Sequence, residues 1–220
     1  MFVEESVWIR EILSSVPLYA GAEVLDIGSS NREFRTKVQP HIQENILLPL
    51  EARGARFTYI DVKDDEGVDL VLDLAIANQP DHIFNKKYDL IICCNILEHV
   101  ADRSVFMRNL TRFAKEGGHI LITAPHRYFR HNDPIDTMYR PLPRELCDLL
   151  GRFVSYTVKA EAMVSISEKR YYVFSWGRLL DYIPLRTHRH LWRYYFRPFR
   201  WQVSGILVEV GQGIVPAMMA

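Results

Sequence analysis

Val24-Leu25-Asp26-Ile27-Gly28-Ser29-Ser30 is an apolar run that breaks at an acid, a glycine and two serines. It reads as a buried strand entering a tight turn. A second apolar run, Phe57-Thr58-Tyr59-Ile60, ends in Asp61, 35 positions after Asp26. A parallel strand, a glycine turn and an acid closing the next strand are the parts a fold needs to hold a nucleoside.

Outward from that unit, strands and helices alternate. Apolar residues at Phe2, Val3, Val7, Trp8, Ile12 and Leu13 form a helical stripe over 2–14, which ends before Pro17. Asn31 is placed to cap a short helix carrying Phe34 and Val38, broken at Pro40, with a second helical stretch over 41–52. Val68–Leu72 reads as a third strand ending at Asp73, and Tyr88–Cys93 as a fourth, followed by a helix through Val105, Phe106, Leu110 and Phe113. Gly117-Gly118 is expected to stop that helix before a fifth strand, His119–Ala124. A helix opened by Pro143 closes at Gly151, and Phe153–Val158 and Gly205–Val210 read as the sixth and seventh strands. Strands that are apolar throughout belong to a sheet covered on both faces. Alternation with helices makes it a mostly parallel, doubly wound α/β sheet whose ligands lie at the carboxyl ends of the strands.

Composition narrows the class. The chain has 220 residues and no formal net charge, enough for one well-buried domain and nothing that calls globally for nucleic acid. Cys93, Cys94 and Cys147 lack metal spacing and read as reduced core thiols of a cytoplasmic protein. Glu4 and Glu5 interrupt the place where a signal peptide needs a basic start and an apolar run. The apolar stretches are too short or too interrupted to span a bilayer. Membrane contact is expected only from outside.

The ordered strand ends carry a resemblance. Asp26-Ile27-Gly28, Ile60-Asp61, Leu72-Asp73-Leu74, Asn95-Ile96-Leu97-Glu98-His99-Val100 and Gly117-Gly118-His119-Ile120 follow one another as in the class I S-adenosylmethionine-dependent methyltransferases. The Asn-Ile-Leu-Glu-His-Val segment is similar to that of the small-molecule branch of the family. The resemblance covers roughly residues 20–150 and implies a Rossmann-like sheet of seven strands with an antiparallel last strand. It implies that Asp26, Gly28 and the backbone at Ser29 lie against the methionine part of S-adenosylmethionine, with Asn95 approaching it. Asp61 would accept the ribose hydroxyls, and Asp73 with Leu74 would lie by the adenine. The loop departs from the family's Gly-x-Gly, running Gly28-Ser29-Ser30-Asn31. One glycine can suffice for the turn, since a methyl donor carries no pyrophosphate. The same departure argues against a dinucleotide oxidoreductase.

The reaction this implies is methyl transfer to a small or glycan-type acceptor, at oxygen. A hydroxyl acceptor needs a base, and His99, His126, His131, Asp133 and Asp136 are the candidates. Four of them lie in residues 125–141, a stretch dense in His, Asp, Arg and Tyr. Its Pro134-x-Asp136-x-x-x-Arg140 pattern resembles a loop of methyltransferases linked to bacterial surface-glycan synthesis. Against this, His99 can simply bond to the loop backbone, and Asp136 with Arg140 can be a local i,i+4 ion pair. The residue types would suit a His–metal–Asp site, but their spacing is not diagnostic of one. A non-catalytic nucleoside-binding or scaffold protein of the same fold is the rival reading.

A long excursion, roughly 160–204, separates the last two expected strands. From Lys169 to Trp201 it carries eight Lys or Arg against Asp181 alone, interleaved with eleven aromatics. Three readings stay open: a cap that binds a phosphate-linked or lipid-linked glycan acceptor, a surface resting on an anionic membrane, and a homodimer face. No RNA-binding signature accompanies the charge.

Overall fold

The computed structural model describes residues 1–130, 135–167 and 201–212. In chain order the elements are α1 (Val3–Ser14), β1 (Glu23–Ile27), α2 (Pro40–Ile42), α3 (Leu48–Glu51), β2 (Arg56–Asp61), β3 (Leu70–Val71) and β4 (Tyr88–Cys94). After these come α4 (Arg103–Thr111), β5 (Ala114–Arg127), α5 (Pro143–Leu150), β6 (Tyr156–Ile166) and β7 (Trp201–Val210). The seven strands form one sheet in the order β3-β2-β1-β4-β5-β7-β6. Strands β1 to β5 pair in parallel, whereas β7 runs antiparallel to both β5 and β6. This is the expected Rossmann-like α/β sheet with its antiparallel last strand.

Alternation along the strands divides the core in two. Leu25, Ile27, Ile91, Cys93, Ile120 and Ile122 point into the cluster that α4 and α5 cover with Phe106, Leu110, Leu146 and Leu150. Val24, Leu90, Ile92, Leu121 and Leu207 point the other way, under Ile9 and Leu13 of α1 and Ile46, Leu47 and Leu50 of the 40–51 segment. That is why these strands are apolar throughout: each side chain meets a helix.

Several boundaries differ from the sequence expectation. The helix over 41–52 is split, with π-helical bonding over Gln43–Leu47 between α2 and α3. Pro49 supplies the reason, since it has no N–H to give to a carbonyl one turn back. The Phe34–Val38 turn is also π-helical, and Asn31 caps it by accepting from Phe34 N at 2.8 Å. β3 shrinks to two residues because the Asp69 carboxylate takes the Tyr59 N–H at 2.8 Å. Gly117-Gly118 lies inside β5, not at the end of the preceding helix. Gly117 has φ +72, and a Cβ on Gly118 would lie 3.0–3.2 Å from the backbone oxygens of Lys115, Tyr88 and Asp89. The pair therefore lets the strand enter the sheet closely against β4.

The largest correction concerns the last hairpin. Phe153 and Val154 are buried in the turn after α5, bonded back to Leu150 O, and the sixth strand starts only at Tyr156. It runs to Ile166, paired with Trp201. The long excursion is therefore confined to 167–200, and Trp201, 4% exposed, is a core residue of β7. Residues 168–200, which hold nearly all of the basic aromatic stretch, lie outside the described residues.

Candidate functional site

β1, β2 and β4 end side by side, with Ile27 opposite Ile60 on one flank and Cys93 on the other. The chain leaving β1 turns over this edge. Gly28 N and Ser29 N both donate to Ile60 O, at 2.8 and 3.1 Å. Gly28 needs to be glycine for two reasons: its φ is +70, and a Cβ there would lie 2.0 Å from Ile96 Cδ1. Ser30, at the second glycine position of the family pattern, adopts φ +57 without a glycine. Its N–H donates to Asp61 Oδ2 at 2.8 Å.

Arg35 holds this loop in place. It is 3% exposed and its guanidinium donates to Ser29 O (3.2 Å), Ser30 O (2.6 Å) and Gly67 O (2.8 Å). The same group lies 3.8 Å over the Tyr59 ring. Sequence reading missed Arg35, because an arginine in a short polar helix looks like a solvated side chain. The backbone strain that glycine would relieve at position 30 is here held by these bonds.

Asp61 closes β2 as expected. Ser30 N meets its Oδ2, and Lys63 N meets Oδ1 at 3.1 Å. An ionised carboxylate offers about four acceptor positions, so each oxygen keeps capacity for a hydroxyl. Asp26 lines a cavity of about 70 Å³ with Met1, Gly28, Ser29, Phe34, Arg35 and Cys94. Burial pushes its carboxyl up to about 7, Arg35 pulls it down and Asp61 adds to the rise. Asp73 lies past β3 and accepts from Ala75 N at 2.8 Å. Leu74 is buried, and its carbonyl accepts from Asn109 Nδ2 at 2.9 Å, which also reaches Ile76 O. Asn109 is therefore the residue that fixes this loop, and it too was not singled out from sequence.

Asn95 follows β4 at φ +54, with its N–H on Thr123 O at 2.9 Å. Its side chain is engaged by α1: Asn95 Nδ2 donates to Glu5 Oε1 at 2.8 Å, and Thr123 Oγ1 donates to the same oxygen at 2.6 Å. Glu5 is fully buried and had been read only as a break in an apolar N-terminus.

The candidate bases are placed beyond this edge and are tied to other groups. His99 Nδ1 lies 2.6 Å from Ile135 O. His126 Nδ1 lies 3.0 Å from both Arg140 O and Pro141 O. Asp136 is buried and paired with Arg140 through Nη2 to Oδ2 at 2.7 Å, the local ion pair foreseen as the alternative. His131 and Asp133 lie outside the described residues. Between these groups Glu98 is completely buried, and its carboxyl oxygens have no hydrogen-bond partner among the described residues. Burial pushes Glu98 up to about 7, with His99 and Arg140 lowering it. Among the described residues no group of three or more His, Cys, Asp or Glu could hold a metal ion, and no helix is long and apolar enough to cross a membrane.

The ends of the 167–200 connection lie at this same edge. β7 starts where β5 finishes, with Gln202 opposite Arg127, and β6 ends beside it. Phe2, Tyr128, Phe129 and Trp201 form an aromatic cluster there, with Tyr128 and Trp201 edge to face at 4.9 Å and Phe2 5.3 Å from Tyr128.

Comparison with known proteins agrees with this architecture. No curated protein matches the sequence. Among solved structures, coclaurine N-methyltransferase bound to N-methylheliamine and S-adenosylhomocysteine is similar, with a TM-score of 0.57 at 13% identity over 93% of this chain and 72% of that one. The cyclase SpnF gives 0.57 at 16% identity over 94% and 81%. A SAM-dependent methyltransferase from Aquifex aeolicus gives 0.52 at 15% identity over 93% and 91%. Such distant likenesses speak for the fold alone. The sequence family described as "Methyltransferase domain" matches residues 5–196. That match spans most of the chain, which therefore belongs to the methyltransferase-domain family.

Proposed function

We propose that this chain binds S-adenosylmethionine and transfers its methyl group to an oxygen of a small-molecule or glycan-type acceptor. One observation carries the reading. Asp26, its carboxyl pushed up to about 7, borders a cavity beside the Ser29–Asp61 loop. A carboxylate held half-protonated by burial is suited to a cationic ligand, which favours its ionised form. When bound, the cofactor supplies an electrophilic methyl on a sulfonium. Asp61 would take the ribose hydroxyls, Asp26 the cationic amino-acid portion, and Asp73 with Leu74 would border the adenine. Family membership and similarity to a methyltransferase solved with S-adenosylhomocysteine support the same cofactor. Calorimetric titration of S-adenosylmethionine tests this. The wild type binds, and Asp61→Ala loses about tenfold or more through the missing charge-assisted bonds. No heat in the wild type would sink the reading.

The acceptor assignment rests on the connection rooted at the same edge. Its sequence from 169 to 201 is basic and aromatic, suited to a phosphate- or lipid-linked glycan at the cytoplasmic side of an anionic membrane. Flotation with anionic vesicles tests the membrane contact, and a protein that stays with the pellet at low salt removes it. Size-exclusion chromatography with light scattering tests the homodimer reading of the same stretch.

A second reading, a non-catalytic nucleoside-binding or scaffold protein, is favoured by the engagement of His99, His126 and Asp136 with backbone or arginine groups. Cofactor binding with no S-adenosylhomocysteine formed across a panel of glycan acceptors would support it.

A further inference from the structure

Glu5 is a buried carboxylate whose position a helix cap does not require. Its Oε2 accepts from Phe2 N at 3.1 Å, which completes the cap of α1. A glutamate at the third helical position can do this on the surface. Here the side chain has no exposure at all, and taking a charge out of water costs several kcal/mol unless it is well partnered. The partnering comes from the sheet edge. Asn95 Nδ2 and Thr123 Oγ1 converge on Oε1 at 2.8 and 2.6 Å, so the three hydrogen-bond partners of Glu5 among the described residues are all donors.

We propose that Glu5 is a positioning residue for the cofactor's amino-acid portion, acting through Asn95; the proposal rests on the function given above. A primary amide has one donor end and one acceptor end, and an ionised carboxylate can only accept. Glu5 therefore decides which end of Asn95 faces α1, and turns Oδ1 away from it. The backbone at Asn95 is fixed as well, at φ +54 with its N–H on Thr123 O. Asn95 thus stands just after β4 as an oriented acceptor that cannot flip without turning Oδ1 onto a buried carboxylate oxygen. It immediately precedes Ile96, whose side chain packs on Gly28 of the loop that borders Asp26. An oriented amide oxygen just after β4 and the Asp26 carboxylate on β1, the strand paired with β4, suit an α-ammonium group, whose N–H donors need acceptors and whose charge needs a counter-ion. α1 belongs to the site through Glu5, whose Oε1 holds Asn95 just after β4 and Thr123 of β5.

Titration of two ligands separates positioning from support. S-adenosylmethionine carries the amino-acid portion, and 5′-methylthioadenosine has the same nucleoside without it. We expect Glu5→Gln and Asn95→Ala each to weaken S-adenosylmethionine about tenfold, the scale of one lost ligand bond, while leaving 5′-methylthioadenosine within about twofold. The double variant loses no more than either single one, because both act on the same contact. Should Glu5→Gln keep an acceptor toward Asn95, Glu5→Met fills the space without one and shows the same selective loss. A partly unfolded variant lowers the fraction that binds either ligand, so the ratio of the two affinities is still read on the folded molecules. Equal weakening of both ligands, or full additivity in the double variant, overturns the proposal alone. A wild type that binds neither ligand overturns the assigned function, and the proposal with it.

Discussion

At the scale of single residues, this site is held by buried polar groups with several partners each. Arg35 is the strongest case, with bonds to three carbonyls and a ring beneath it. Arg35→Ala removes the guanidinium donor from all three carbonyls and leaves Ser30 O only the Ser29 hydroxyl at 3.1 Å, and chemical denaturation should show a loss of about 2–4 kcal/mol. Asp26 gives a pH dependence of known sign. Its folded value, about 7, lies above that of an unfolded aspartate, about 3.9. Between those values the folded chain keeps a proton that the unfolded chain has released. Stability from this group is therefore greatest at low pH and falls as pH rises, by up to about 1.4 kcal/mol per unit, levelling above about 7. Glu98 is shifted the same way, so the comparison must be made against Asp26→Asn. That variant should gain on the wild type in denaturation midpoint between about pH 5 and 7.5; parallel curves would place the proton elsewhere. Binding of a cationic ligand should likewise release a proton, which calorimetry in buffers of different ionisation enthalpy detects. At this scale the places of Asp26, Gly28 and Asp61 in the fold were legible, because an acid or a glycine interrupts an apolar run where a strand closes. Arg35, Asn109 and Glu5 were not, because a charged or amide side chain in a helix reads as solvated until its long-range partners are known.

At the scale of elements, the sheet was legible and its last third was not. β1 and β4 announce themselves because both faces are covered, so their inner positions are mostly apolar, and β2 is marked by Phe57, Tyr59 and Ile60. Phe153 and Val154 are apolar for another reason, the turn after α5, and that drew the sixth strand too early. β6 itself is largely half-exposed, with polar residues such as Lys159 and Glu161 along it, so no apolar run marks it. α1 packs on a face of the sheet through Ile9 and Leu13, and most closely at Gly205, where a Cβ would lie 2.3 Å from Trp8 Cζ3. Gly205→Ala should therefore push α1 outward and cost about 1–3 kcal/mol, followed by thermal denaturation and by the fluorescence of Trp8. A red shift of that emission without loss of the fold would show the helix leaving the sheet.

At the scale of the whole molecule, the sheet is expected to stand without the 167–200 connection. Ile166 and Trp201 are paired neighbours, so the two ends of the connection leave the sheet side by side. Replacing 169–200 with a short Gly-rich turn should leave a folded protein. Shorter loop closure alone favours it by about 2 kcal/mol. The shortened protein should bind S-adenosylmethionine as before and no longer float with anionic vesicles. Loss of cofactor binding would instead make the connection part of the nucleoside site. The sequence showed the charge and aromatic content of this stretch but not its limits, because Trp201 and its neighbours in β7 looked like more of the same composition.

Glu5 also sets an order of assembly. Its partners Asn95 and Thr123 come 90 and 118 residues later, and Trp8 packs on Gly205 near the far end of the chain. α1, which precedes every strand of the sheet, is thus among the last elements to find its place, waiting for β4, β5 and finally β7. Until then its apolar stripe and a charge destined for burial stay in water, so the edge of the sheet closes only on a chain whose last strand is already in place.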